Sequence, residues 1–209
     1  MVFISRIRSY AKFEKIQHNK RTMLLQVVIL IITLIATKRV SDKSDLHCSS
    51  RKYQLTPVYD LYHSNFKAWL ARYYSIPDIV LGITLVLWFT NYTKELFTTT
   101  LTKVTVYYII RLLSIASTYG YVSRRYSLDM HYNTIFNTNF SDLVISGHVG
   151  LTCILAIDVL KHGLCWQKNI ATWLAVFSAY INLAVGDHYS SDVILGAIIA
   201  ILLQYSTLL

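Results

Sequence analysis

Six long apolar runs are the feature that most constrains this chain: residues 23–37, 79–93, 101–120, 145–160, 169–185 and 192–208. A helix rises about 1.5 Å per residue and the hydrocarbon layer is about 30 Å thick, so about 20 residues make one crossing. The first two runs are short by that measure and draw on flanking residues. The last four come close to it or meet it. Lipid tolerates no unpaired backbone groups, so helices are the expected form of all six. The expected fold is therefore all-α, a polytopic membrane protein with six transmembrane helices. Residues 1–22 would form a basic cytosolic N-terminus and residues 23–209 one membrane domain.

Composition agrees with that reading. Only 15% of the residues are charged, where soluble domains carry about a quarter. Sixteen Tyr and four Trp suit a chain with many side chains at headgroup depth. The formal charge of +9 first brings nucleic acid to mind, but its distribution argues otherwise. Arg6, Arg8, Lys12, Lys15, Lys20 and Arg21 all precede the first apolar run, opposed only by Glu14. That is the pattern of a cytosolic flank facing anionic lipid. Cys48, Cys153 and Cys165 follow no metal or redox spacing. No small-residue cleavage site follows the first run, so an uncleaved helix is expected there rather than a signal peptide. With the N-terminus in the cytosol, six crossings place His148 and His188 on the lumenal or extracellular side. Of two glycosylation sequons, at Asn91 and Asn139, the second would face that side.

Two polar intrusions interrupt the apolar runs. One is Ser146-Gly147-His148 at the start of the fourth. The other is Val185 to Ala197, "VGDHYSSDVILGA", before and within the sixth. A helix starting near Gly186 would stack His188 and Asp192 on one face, letting the aspartate fix the imidazole tautomer. The two histidines fall on the same membrane face, where a nucleophilic histidine and a second one as general acid suffice to break a P–O bond without metal. Ionisable groups inside a membrane are functional by default. From the residues alone, a catalytic site and a cation or proton pathway both remain open.

At these residues a family resemblance appears. "SDLVISGHVGLT" resembles the sphingomyelin synthase motif in which an Asp precedes Ser-Gly-His-Thr, and "GDHYSSDVILGA" resembles that family's Asp-His-Tyr-Ser/Thr-x-Asp-Val motif. "SIPDIV" (residues 75–80) and "YYIIRLLSIAST" (residues 107–118) are weaker echoes in the right order. The sphingomyelin synthases, which are ceramide phosphotransferases, lie in the type 2 phosphatidic acid phosphatase-like superfamily. The resemblance implies His188 as nucleophile, Asp192 as its orienting carboxylate, and His148 as acid and then base. Donor and acceptor would be phosphatidylcholine or phosphatidylethanolamine and ceramide. Asp142 and Asp187 match motif aspartates that would position the other histidine or the amine head group. Arg111, Ser146 and Tyr189 complete the substrate-binding set. No cofactor or metal is implied, no nucleic acid partner is expected, and a homo-oligomer is compatible with the chain. The implied location is the secretory pathway: Golgi, endoplasmic reticulum or plasma membrane.

The chain also departs from the family pattern. Val149 stands where Thr is usual, and Phe140-Ser141 replaces Cys-Gly. An Arg-Arg pair after the second helix is not evident, although Arg124-Arg125 lies later. The competing readings are a lipid phosphate phosphatase acting on a phosphatidate-like substrate and a catalytically inactive relative. The Lys-x6-Arg-Pro element of the phosphatases has no counterpart, since the chain has no Arg-Pro. A dianionic monoester also calls for two or three fixed cations. Among the remaining polar residues, Arg111 is expected to face a phosphate or a carboxylate such as Asp142. Asp158 is expected at the solvated interface, and Asp78 to serve the N-terminus of the second helix.

Overall fold

The segment Thr98-Thr99-Thr100-Leu101-Thr102 has the β-branched composition of a strand, yet it lies inside a helix. The hydroxyls of Thr98, Thr100, Thr102 and Thr105 each lie within hydrogen-bonding distance of the carbonyl four residues back, at 2.9, 2.8, 3.0 and 2.7 Å. Threonine side chains satisfied in this way add no polar burden to a helix in an apolar surrounding.

A computed structural model describes residues 22–43, 73, 75–117, 145–186 and 188–206. Among them are six helices and no strand, which gives the all-α class expected from the apolar runs. They are α1 (Thr22–Lys43), α2 (Ile76–Phe89), α3 (Lys94–Ser117), α4 (Gly147–His162), α5 (Cys165–Ala184) and α6 (Ser190–Tyr205). Each overlaps one apolar run. Of these, α1 alone is long and apolar enough to cross a membrane on its own composition, with 22 residues and mean hydropathy 2.0. The basic N-terminal cluster, Arg124, Arg125, Asn139, Asp142 and Asp187 lie outside the described residues.

The central element is α4, which packs against α2, α3, α5 and α6. Leu87 and Trp88 of α2 meet Leu155, Ala156 and Val159 of α4 and Ala171 of α5. Tyr107 of α3, Ile154 of α4, and Ala200 and Leu203 of α6 form a second cluster. Outside this core the amphipathic pattern of soluble helices is reversed. On α5, Trp166, Ile170, Trp173, Val176 and Phe177 are exposed, while Gln167, Ser178 and Asn182 are buried. Thr84, Lys103, Arg111, Asp158 and Gln204 are likewise buried. An apolar exterior of this extent marks a surface made for lipid or for another protein. The buried polar side chains lower the mean hydropathy of α3 and α5.

Asp158 differs from the interfacial position expected of it: it is buried. Its carboxylate accepts from Trp88 Nε1 (3.3 Å), Thr100 Oγ1 (2.5 Å) and Gln204 Nε2 (2.8 Å). Gln204 Oε1 in turn accepts from Lys103 Nζ at 2.7 Å and Lys161 Nζ at 3.2 Å. Side chains from α2, α3, α4 and α6 thus close one polar network at the end of the bundle remote from His148. Apolar surroundings make a fully satisfied network of this kind a strong tie and a half-satisfied one a liability.

Candidate functional site

The other end of the bundle gathers the start of α2, the later part of α3, the start of α4 and the start of α6. Ser146 is the N-cap of α4, and its Oγ accepts from Val149 N at 3.4 Å. Its own backbone N–H donates to the Asp192 carbonyl at 3.1 Å, joining the first turn of α6 to the mouth of α4. Close approach here requires Gly196, where an added Cβ would lie 2.9 Å from Ser146 O. His148 and the His188–Asp192 segment are thereby carried on backbone that is directly hydrogen-bonded.

Arg111 reaches the same place from α3. Its Nε donates to the Ile145 carbonyl at 3.2 Å, and its guanidinium carbon sits 5.7 Å from the Tyr108 ring centroid. A Cβ on Gly147 would lie 2.8 Å from Arg111 Nη1, so the glycine makes room for the cation at the N-terminus of α4. A guanidinium beside a helix N-terminus is suited to phosphate. Of the two partners expected of Arg111, Asp142 lies outside the described residues.

Gly186, at φ 80°, turns the chain after α5. Helix α6 begins at Ser190 rather than near Gly186, so His188 precedes it. Asp192 Oδ2 accepts from the Tyr189 backbone N–H at 2.9 Å, and Ser191 Oγ lies 3.2 Å from Oδ1. The carboxylate is therefore engaged with the N-terminus of α6, which leaves His188 Nδ1 3.6 Å from Oδ2. That is longer than a hydrogen bond, and Nδ1, although buried, has no partner among the described residues. The expected relation between His188 and Asp192 is present as proximity, not as a made bond. Tyr189 is buried at the N-cap of α6.

One short polar contact at this end was not legible from local spacing in the sequence. His148 Nε2 lies 2.7 Å from Asp78 Oδ1, between residues 70 apart in the chain. Asp78 does stand in the first turn of α2, but its carboxylate reaches across to α4 rather than serving only its own helix. The echo "SIPDIV" was the one sequence signal pointing to it. Tyr107 was also missed; its hydroxyl donates to Ser146 O at 2.8 Å. Among the described residues no group of three or more His, Cys, Asp or Glu is arranged to hold a metal ion.

Neither the curated proteins nor the solved structures include a match to this chain. A family model does match: PAP2 superfamily C-terminal, over residues 139–207, a span that holds α4, α5 and α6 and with them His148, His188 and Asp192. That match, on one-third of the chain, supports the type 2 phosphatidic acid phosphatase-like superfamily as its place.

Proposed function

We propose that the protein is a membrane phosphotransferase that moves a phosphocholine-type head group from a glycerophospholipid to ceramide. The superfamily match supports a lipid phosphatase or phosphotransferase activity, and the finer assignment rests on the motifs around the two histidines. The observation that carries it is the convergence, at one end of the bundle, of His148, His188 and a buried arginine at a helix N-terminus. In the donor half, the Nε2 lone pair of His188 attacks phosphorus while the bond to the diacylglycerol oxygen breaks, and His148 supplies the proton that this oxygen needs. In the acceptor half, His148 takes the proton from the primary hydroxyl of ceramide. The alkoxide oxygen bonds to phosphorus and the P–N bond to His188 breaks. Asp192, nearest Nδ1, steadies the charge that His188 acquires. Arg111 holds the phosphate oxygens.

In this reading all six helices cross the membrane, residues 1–22 are cytosolic, and the site opens to the lumen or the cell exterior. The apolar exterior of α5 and the buried polar faces support membrane embedding. Hydrolysis of a phosphatidate-like monoester is the second reading. Among the described residues the guanidinium of Arg111 is the cation placed against Gly147, which suits a zwitterionic diester better than a dianion.

Membranes bearing the protein, supplied with fluorescent ceramide and phosphatidylcholine or phosphatidylethanolamine, are expected to yield a phosphosphingolipid and diacylglycerol. Free phosphate from phosphatidate without any ceramide product would favour the phosphatase instead.

A further inference from the structure

We infer that Asp78 is the residue that positions His148, taking the hydrogen of Nε2 and so making Nδ1 the atom that exchanges a proton with substrate. This rests on the acid–base role given to His148 above. The contact is 2.7 Å long, and the two side chains retain 12% (His148) and 3% (Asp78) of their accessible surface. A carboxylate so deeply enclosed is costly to keep unless paired. Its Oδ2 is buried and has no hydrogen-bond partner among the described residues, so His148 is the partner that Asp78 has there. Position in the first turn of α2 adds the favourable end of the helix dipole.

A purely structural tie is a weaker account of this pair. The contact between α2 and α4 is already made by Leu87, Trp88, Leu155, Ala156 and Val159, and by Trp88 Nε1 on Asp158. A buried pair is weak evidence for net stability, and fixing a geometry is one use that such pairs serve. Here the geometry fixes a tautomer. With Nε2–H directed to Asp78, neutral His148 has its lone pair on Nδ1. The imidazolium then carries a transferable hydrogen there. In the donor half that Nδ1 hydrogen passes to the diacylglycerol oxygen as its bond to phosphorus breaks. In the acceptor half Nδ1 recovers one hydrogen from the ceramide hydroxyl, so the proton count closes over a cycle. The site thus places a carboxylate near each histidine, Asp78 2.7 Å from Nε2 of His148 and Asp192 3.6 Å from Nδ1 of His188.

The test combines kinetics with a spectroscopic reading. Asp78→Asn is expected to lower kcat about 100-fold, the upper range for loss of a group that orients a reacting histidine, with KM for the phospholipid within about twofold of wild type because the phosphate is held by Arg111. Asp78→Glu, which keeps the negative charge that Asp78→Asn removes, is expected to recover part of that loss. An Asp78→Asn enzyme with unchanged kcat, or one that loses KM and kcat alike with no recovery in Asp78→Glu, overturns the proposal. Independently of whether Asp78→Asn accumulates, 15N-histidine spectra of the wild-type protein in micelles report the tautomer. The His148 signals are identified by their loss in His148→Gln. Neutral His148 is expected as the Nε2–H form, and an Nδ1–H form overturns the proposal. If wild-type membranes turn over neither ceramide nor phosphatidate, the functional reading fails with it. If wild type turns over lipid, His188→Ala does not, and Asp78→Asn matches wild type, Asp78 alone was misread.

Discussion

The hydroxyl of Tyr107 on α3 donates to the carbonyl of Ser146 at 2.8 Å, and Ser146 is the residue that caps the helix carrying His148. Two glycines make this possible. A Cβ on Gly150 would fall 1.9 Å from the Tyr107 hydroxyl oxygen, and one on Gly196 3.2 Å from it. The mouth of α4 is therefore pinned by contacts that leave no room for adjustment. Tyr107→Phe is expected to cost about 1 kcal/mol of stability, the net value of one hydrogen bond. Gly150→Ala is expected to cost more, about 1–3 kcal/mol, because it overpacks a filled site. Thermal unfolding in detergent, with both variants beside wild type, gives the order; Tyr107→Phe as the more damaging change would contradict it.

Asp192 has two tasks that substitution can separate. Its Oδ2 accepts from the Tyr189 N–H, and it lies 3.6 Å from His188 Nδ1. Asparagine can keep the first contact but not the negative charge. Asp192→Asn is expected to unfold within about 1 kcal/mol of wild type, while kcat falls by about 10³-fold or more, as when the carboxylate behind a reacting histidine is replaced by an amide. Asp192→Ala should lose both. Equal activity in Asp192→Asn and wild type would remove Asp192 from the chemistry.

Arg111 touches the backbone of the site, with its guanidinium at Gly147 and its Nε donating to Ile145 O. Arg111→Lys keeps the charge but loses the planar fork. We expect kcat/KM for the phospholipid to fall about 10-fold in Arg111→Lys and about 100-fold or more in Arg111→Met, as for loss of a charge-stabilising donor. Steady-state kinetics on mixed micelles would read both. Gly147→Ala, which displaces the guanidinium, should resemble Arg111→Lys.

At the remote end, the prediction runs the other way. Asp158→Asn removes the one carboxylate in the network that includes Lys103 and Lys161. Breaking such a buried network is expected to cost about 3 kcal/mol, yet the folded fraction should keep wild-type kcat and KM. Unfolding curves and kinetics normalised to folded protein check the two halves of that statement.

The apolar runs made the helices legible, because their period-free hydrophobicity has few other outcomes. The i,i+4 spacing of His188 and Asp192 put both residues at one helix start, but it assumed a helix beginning near Gly186. The actual start at Ser190 turns the aspartate toward the Tyr189 amide. The burial of Asp158 and the partner of Asp78 were missed for a common reason. Each has a sufficient local explanation, a helix start for one and a headgroup interface for the other. Their true partners lie far along the chain: His148 is 70 residues from Asp78, and Thr100 and Trp88 are 58 and 70 from Asp158. Local spacing carries no trace of such pairings; packing of α2 and α3 against α4 creates them.

The central claim is covalent: phosphorus passes through His188. Mass spectrometry of protein quenched during turnover with the phospholipid, before ceramide is added, tests it most directly. The account predicts a head-group phosphate adduct on His188 that disappears when ceramide is supplied and never forms in His188→Ala. Phosphosphingolipid formed at the wild-type rate by His188→Ala, with no adduct on any histidine, would contradict it.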